Sequence, residues 1–211
     1  MNRYRTILKE AKAEQIIDKS RFIAYAKPVS TKEDADAFIS EIRLKHKDAT
    51  HNVPAMVIGE KFQIQWASDD GEPQGTSGAP IVQMLVKEGI TDIAVVVTRY
   101  FGGIKLGTGG LVRAYTSSAK LGVLAAGICQ VKEMAVLGIK TDYTYLSKIQ
   151  NVSEREHFEI LEIVYEDTVT LKITTEPENV AHIKTLLADI SAGGFVIISE
   201  IMELIKVAEK S

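Results

Sequence analysis

The sequence has a single cysteine and no long uninterrupted apolar run. With Cys129 alone, a disulfide framework is excluded and a cysteine-based zinc site has no ligand set. No segment approaches the roughly 20 apolar residues that cross a bilayer, so we expect no membrane association. The first fifteen residues carry charges throughout and do not resemble a signal peptide. These absences predict a cytoplasmic protein.

Signatures of catalysis are also missing. The histidines have no partners at metal-binding spacing, and Ser117–Ser118 lies within a predicted helix rather than at a nucleophile elbow. We therefore predict no catalytic residue, no metal and no cofactor, and a chain that is not an enzyme. Trp66, Tyr100, Phe101 and Tyr115 are interpreted as core aromatics rather than as base-stacking groups.

Acidic residues are absent between Asp92 and Glu133, although the net charge of the chain is −3. Residues 1–130 hold 17 Lys/Arg and 14 Asp/Glu, whereas residues 131–211 hold 8 and 14. A locally positive field favours anionic partners, and the acidic second half suits a protein partner. The bases of the acid-free stretch are Arg99, Lys105, Arg113, Lys120 and Lys132.

The second half predicts a βαββαβ order, typical of ferredoxin-like domains. Strand patterns cover 134–142, 159–167, 168–176 and 195–207, with a helical pattern in 143–158. The other helix is predicted from Pro177 to Gly193–Gly194, which are start and stop signals. We predict two domains of an α+β fold, residues 1–130 and 134–211.

The first half mixes strands and helices. A hairpin is predicted around Lys19–Ser20, followed by a helix that Thr31 caps. Two strands, a polar loop at 69–80 and a helix then precede a β-branched run at 92–101 that is typical of a buried strand. A glycine-rich loop at 102–110 leads into a helix predicted over 111–127.

The glycine loop "GGIKLGTGG" is the strongest candidate for a binding site. A buried strand, a glycine loop and a helix N-terminus together present backbone N–H groups to an anion. The loop lacks the endings of the phosphate-binding and dinucleotide-binding motifs, and its glycines could instead serve only turns and packing. Thr108 is the predicted N-cap, and Arg113 should lean back toward the loop. The predicted anion-binding or RNA-binding residues are Arg99, Gly102, Gly103, Lys105, Gly107, Thr108, Gly109, Gly110 and Arg113.

The acidic loop at 69–80 is interpreted as a support for the glycine loop. Asp69, Asp70 and Glu72 could bind Mg²⁺ or act as acid and base, but a turn with capping acids explains them more simply. We expect Asp69 and Asp70 to lie within bonding range of the glycine loop, and Ser77 to cap the next helix. Pairing of these acids with Arg99 or Arg113 is a further option.

Four segments of the sequence resemble the Impact family, in its bacterial YigZ-like branch. They are "SRFIA" (20–24), "ATHNVPAMVIG" (49–59), "SDDGEPQGTSGAPI" (68–81) and "VVVTRYFGGIKLGTGGLVRAY" (95–115). The resemblance implies an N-terminal domain similar to domain IV of elongation factor G, of ββαββαβα order. It also implies a ferredoxin-like C-terminal domain similar to another elongation factor domain, and a role in translational control.

Three functions remain open at this point. The first is a module that binds the ribosome or structured RNA through the glycine-rich basic face, with the acidic C-terminal domain recruiting a protein partner. The second is a protein-interaction adaptor in translational or stress control, whose glycine motif is structural. The third is a small-molecule phosphotransferase that binds a nucleotide and Mg²⁺. We expect the first, by analogy of fold.

Overall fold

The structure is a computed structural model that describes residues 2–153 and 155–209. The strands are β1 (Asn2–Ile7), β2 (Ala11–Ile17), β3 (Ser20–Pro28), β4 (His51–Ile58), β5 (Ile64–Ala67), β6 (Ile93–Tyr100), β7 (Ile128–Thr141), β8 (Phe158–Tyr165), β9 (Val169–Thr175) and β10 (Phe195–Ala208). The helices are α1 (Lys32–Lys45), α2 (Gly78–Lys87), α3 (Gly107–Ala126), α4 (Tyr143–Ser153) and α5 (Val180–Ser191), with a 3₁₀ turn at Pro177–Asn179. The predicted α+β class and the βαββαβ order of the second half are confirmed, and the first half has its expected order after one additional strand, β1.

The first sheet has the antiparallel order β2-β3-β6-β4-β5, and it carries helices on both faces. Along β6, Ala94 and Val96 pack with α1, whereas Ile93, Val95 and Val97 pack with α2 and α3. Both faces of β6 are therefore buried, which is why its sequence is continuously apolar rather than alternating.

Local sequence signals determine where several elements around this sheet begin and turn. The Thr31 side chain caps α1 by accepting a 3.1 Å hydrogen bond from the Asp34 amide, as predicted. The hairpin between β2 and β3 turns at Asp18–Lys19, because Ile17 pairs with Ser20. Both turn residues have positive φ, 44° and 63°, as a two-residue hairpin turn requires.

The helix α3 begins four residues earlier than the sequence predicted. It starts at Gly107 rather than Leu111, with Leu106 at the N-cap position and no side-chain cap. The chain enters the helix through Gly107, whose φ is 68°. Thr108 is therefore a first-turn residue and not the predicted cap, because glycine lets the backbone turn into the helix before the threonine is reached.

The second sheet contains β10-β7-β9-β8 in the strand order of a ferredoxin-like domain, and β1, which was not predicted, also pairs with β7. The helices α4 and α5 cover one face of this sheet. Their core includes Ile149, Ile183 and Leu187, which pack against Leu137 and Leu171. An irregularity in β8 between Ile160 and Glu162 shifts its register with β9.

The chain divides into two compact units. One comprises Arg3–Val131 and the segment that begins at Lys206; the other comprises Lys132–Ile205 with Asn2. In the first unit Arg5 binds both carboxylate oxygens of Glu209, at 2.7 and 2.8 Å, and the Lys206 ammonium donates to the Ile7 carbonyl. The return of the chain at Lys206 was not predicted. Within the described ranges, no helix is both long and apolar enough to span a membrane.

Candidate functional site

The acidic loop is organised by Asp69, which caps α2 from outside the helix. Its carboxylate accepts hydrogen bonds from the amides of Gly75, Ser77 and Gly78, at 2.7, 3.1 and 2.9 Å, and from the Ser77 hydroxyl at 2.7 Å. Burial opposes ionisation of Asp69, but these donors outweigh it and hold the pKa of the carboxyl below its usual value. Ser77 occupies the N-cap position without a side-chain cap bond. The prediction that Ser77 caps α2 is wrong, because its hydroxyl donates to Asp69 instead.

Asp70 joins this loop to β4 and α1. Its carboxylate accepts from the Asn52 amide at 2.7 Å and from Arg43 at 3.1 Å, while its carbonyl accepts from His51 Nδ1 at 2.7 Å. The expectation that Asp69 and Asp70 support the glycine loop is therefore wrong. Their carboxylates are already committed to the α2 terminus and to β4.

Glu72 forms the pairing with Arg99 that was one of the options from the sequence. Its carboxylate is buried and accepts 2.7 Å hydrogen bonds from Arg99 Nη1 on β6 and from the Tyr115 hydroxyl on α3. His51 Nε2 lies 3.8 Å away. Burial and the bond to Glu72 raise the pKa of Tyr115 far above its ordinary value, so the phenol stays protonated. The acidic loop, the central strand and α3 thus meet at one carboxylate.

Arg99 is buried beside this carboxylate and does not reach the surface as a free cation. Its side chain is 6% exposed, and its guanidinium carbon lies 5.4 Å from the ring centres of both Phe22 and Phe101. Nη2 donates to the Ser20 hydroxyl at 3.3 Å. Nε is buried and has no partner among the described residues. A buried donor left unpaired costs about 1–3 kcal/mol, so a ligand acceptor here would be stabilised.

The glycines of the loop fall into separate classes. A methyl group at Gly102 would lie 2.0 Å from the Lys19 carbonyl carbon, so this glycine is required for packing. Gly103 and Gly107 have positive φ, 88° and 68°, and serve turns. A methyl group at Gly110 would lie 3.0 Å from Leu106 Cβ, whereas at Gly109 its nearest neighbour is Arg113 Nη1 at 3.9 Å. Neither a lack of space for a side chain nor a positive φ explains why position 109 is a glycine.

A pocket of about 450 Å³ opens at the N-terminus of α3. Lys105, Gly107 and Thr108 contribute its exposed rim, and Gly109 lies next to them on the helix. The first N–H groups of a helix have no intrahelical acceptor, and α3 has no side-chain cap. The pocket is lined by Thr50, His51, Glu72, Pro73, Arg99, Phe101, Lys105, Leu106, Gly107, Thr108 and Leu111.

Fewer cations of the predicted basic stretch are free of ion pairs in the structure than the sequence suggested. Lys120 pairs with Glu88 at 2.8 Å, Lys132 pairs with Glu176 at 2.9 Å, and Arg99 pairs with Glu72. Lys105 and Arg113 are exposed and form no ion pair with a residue that the structure describes. Arg113 leans back over the first turn of α3, as predicted. Two of the five cations, rather than all of them, are therefore exposed and without an ion pair among the described residues.

Three residues of the site were not identified from the sequence. His51 and Tyr115 reach Glu72 through the pairing of β4 with β6 and the packing of α3. The interpretation of Phe101 and Trp66 as core aromatics is wrong, since these residues are 46% and 42% exposed, and Phe101 lines the pocket. Its position at the end of β6, directly before two glycines, was the available signal. Across residues 2–153 and 155–209, no group of three His, Cys, Asp or Glu side chains converges as a metal site.

Comparison with known proteins identifies the family. Residues 18–123 match the Impact N-terminal domain, and residues 139–193 match a domain of unknown function, DUF1949. The chain is 40% identical over 193 residues to the IMPACT family member YvyE of Bacillus subtilis, covering 92% of this chain and 89% of that one. It is 34% identical over 185 residues to the IMPACT family member YigZ of Escherichia coli, covering 87% and 91%.

A solved crystal structure of a hypothetical protein has a similar fold. It aligns over 100% of both chains with a TM-score of 0.59 and 30% sequence identity. The family model and the curated relatives confirm the resemblance seen in the four sequence motifs, and the chain belongs to the Impact family.

Proposed function

We propose that this protein acts in translational control in the cytoplasm by binding structured RNA, on the ribosome, through the N-terminus of α3. The observation that carries the proposal is the exposed first turn of α3, which has no side-chain cap and is backed by the buried Arg99. Lys105 and Arg113 flank this turn and form no ion pair with a described residue. Free amides and a positive helix terminus favour phosphate oxygens. The absence of a Cβ at Gly109 allows a ligand to approach the backbone closely.

Ribosome co-sedimentation tests this proposal. The wild type should pellet with ribosomes, and the double variant Lys105→Ala/Arg113→Ala should remain in the supernatant. A charge-matched control is Lys9→Ala/Lys61→Ala, two exposed lysines of the same unit outside the pocket. Equal pelleting of all three proteins would contradict the proposal, because phosphate contacts depend on these two charges.

A second candidate function is a protein-interaction adaptor, and one observation favours it. Exposed apolar side chains repeat every second or fourth residue along β10, at Val196, Ile198, Met202 and Leu204. They give the acidic C-terminal unit an apolar surface suited to a protein partner. If Val196→Asp/Leu204→Asp abolishes co-sedimentation and Lys105→Ala/Arg113→Ala does not, the adaptor function replaces RNA binding.

A further inference from the structure

We infer that the pocket at α3 takes one unpaired nucleotide of an RNA, with its base on the Phe101 ring and its phosphate at the first turn of α3. This inference rests on the proposed function and specifies the part of the RNA that is recognised. It is carried by the size of the pocket, the fixed aromatic ring at its edge, and the buried arginine donor that lacks a partner.

The pocket has the volume of a small-molecule site. Its volume of about 450 Å³ lies within the range of roughly 300–1,000 Å³ that ligand pockets occupy. A double helix presents its phosphates along a surface and cannot insert a base into such a pocket, whereas an unstacked base in a loop or at an end can.

Phe101 is held in place while its ring stays accessible. Its amide donates to the Thr50 hydroxyl at 3.0 Å, and the Arg99 guanidinium lies 5.4 Å from its ring centre. The side chain is nevertheless 46% exposed. An aromatic ring that is oriented before binding forms a platform for a base with little further loss of side-chain entropy.

Other residues of the pocket carry hydrogen-bond donors and positive charge. Lys105 and the Thr108 hydroxyl lie on its rim with the first amides of α3, and Arg99 lines its wall. Arg99 Nε is a buried donor with no acceptor in the part of the chain that the structure describes.

The charge of the site agrees with one nucleotide better than with a duplex. Lys105 and Arg113 are the two cations here that lack an ion pair among the described residues. Proteins that read double-stranded RNA by its shape contact phosphates over about 16 base pairs. Two unpaired cations neutralise one or two phosphates.

Calorimetry with three RNA probes tests the inference. The probes are a single-stranded hexauridylate, an abasic ribose-phosphate strand of equal length, and a blunt 16-base-pair duplex. The hexauridylate should bind best, with the abasic strand about ten-fold weaker, because stacking of one base contributes a factor of this order. Phe101→Leu should bind hexauridylate about ten-fold more weakly than the wild type and should bind the abasic strand equally well. Phe101→Tyr should bind hexauridylate like the wild type.

Trp66→Leu is the matched control, since Trp66 is an exposed aromatic of the same unit outside the pocket. It should bind hexauridylate like the wild type, and thermal unfolding should show that Phe101→Leu remains folded. Equal binding of the abasic and hexauridylate strands, or tighter binding of the duplex, would overturn the inference while leaving the proposed function intact. Binding of none of the three RNAs would instead contradict the proposed function itself.

Discussion

Arg99 Nη1 and Glu72 Oε1 lie 2.7 Å apart, with both side chains at least 94% buried. This ion pair joins the central strand to the acidic loop, and the Tyr115 hydroxyl attaches α3 to the same carboxylate. The pair therefore determines the position of the α3 N-terminus relative to the pocket. Its desolvation makes it sensitive to the loss of either charge.

Glu72→Gln should lower the free energy of unfolding by about 3 kcal/mol, because it leaves the Arg99 charge buried and uncompensated. Urea denaturation measures this as a lower midpoint at unchanged slope. Glu60→Gln is the control, since Glu60 and Arg3 form a half-exposed pair whose loss costs at most about 1 kcal/mol. Equal losses in the two variants would show that the buried pair contributes no more than a surface pair.

Gly109→Ala and Gly102→Ala should have opposite effects on stability. Alanine fits at Gly109 and has a higher helix propensity than glycine. The free energy of unfolding, measured by thermal denaturation, should therefore rise by up to about 1 kcal/mol. At Gly102 the added methyl meets the Lys19 backbone at 2.0 Å, and the protein should be strongly destabilised.

RNA affinity of Gly109→Ala should nevertheless fall, since the methyl lies where a phosphate approaches the helix amides. Anisotropy titration of the folded variant measures this loss. Unchanged affinity would assign Gly109 no part in binding.

RNA affinity should decrease with salt with a log–log slope of about −1.4, taking −0.7 for each of two phosphates on single-stranded RNA. Arg99 is not counted as a phosphate contact because its guanidinium is paired with Glu72. Lys105→Ala should reduce the slope by about 0.7, and Lys120→Ala, whose side chain pairs with Glu88, should leave it unchanged. A slope that Lys105→Ala does not alter would place the phosphate contacts elsewhere.

Asp69 should make stability depend on acid pH. Its folded-state pKa lies below the unfolded value of about 3.9, so its contribution is present above that value and is lost as pH falls through the folded pKa. Asp69→Asn should lower the unfolding free energy at pH 6 by about 1–2 kcal/mol, as expected for a lost helix cap. Urea midpoints at pH 6 and pH 3 should differ less in the variant than in the wild type; an equal difference would contradict the assignment.

The elements with local signals could be predicted from the sequence, and the site that joins distant segments could not. Thr31 and the charges of α1 predict that helix by themselves, and the β-branched run of β6 predicts a buried strand. The burial of Arg99 depends on Glu72, 27 residues earlier in the chain, and on His51, which pairs opposite Arg99 only in the register of β4 with β6. Such register is set by the whole sheet and leaves no local pattern.

The helix start shows a second kind of limit. Threonine is a frequent N-cap, and a run of glycines usually indicates a loop, so both preferences placed the start of α3 too late. Tertiary packing of Leu111 and Ala114 in the core extends the helix through glycines that local propensity disfavours.

The ion pair between Arg5 and Glu209 has a consequence for biosynthesis. Residues 206–209 belong to the first unit, yet they are translated after the whole of the second. A nascent chain that has emerged only to Val131 lacks the Glu209 carboxylate and the Lys206 ammonium. Arg5 and the Ile7 carbonyl therefore cannot yet form these bonds. The first unit thus forms its final contacts only after the second unit has left the ribosomal exit tunnel. The first unit is synthesised first, but its folding is completed last.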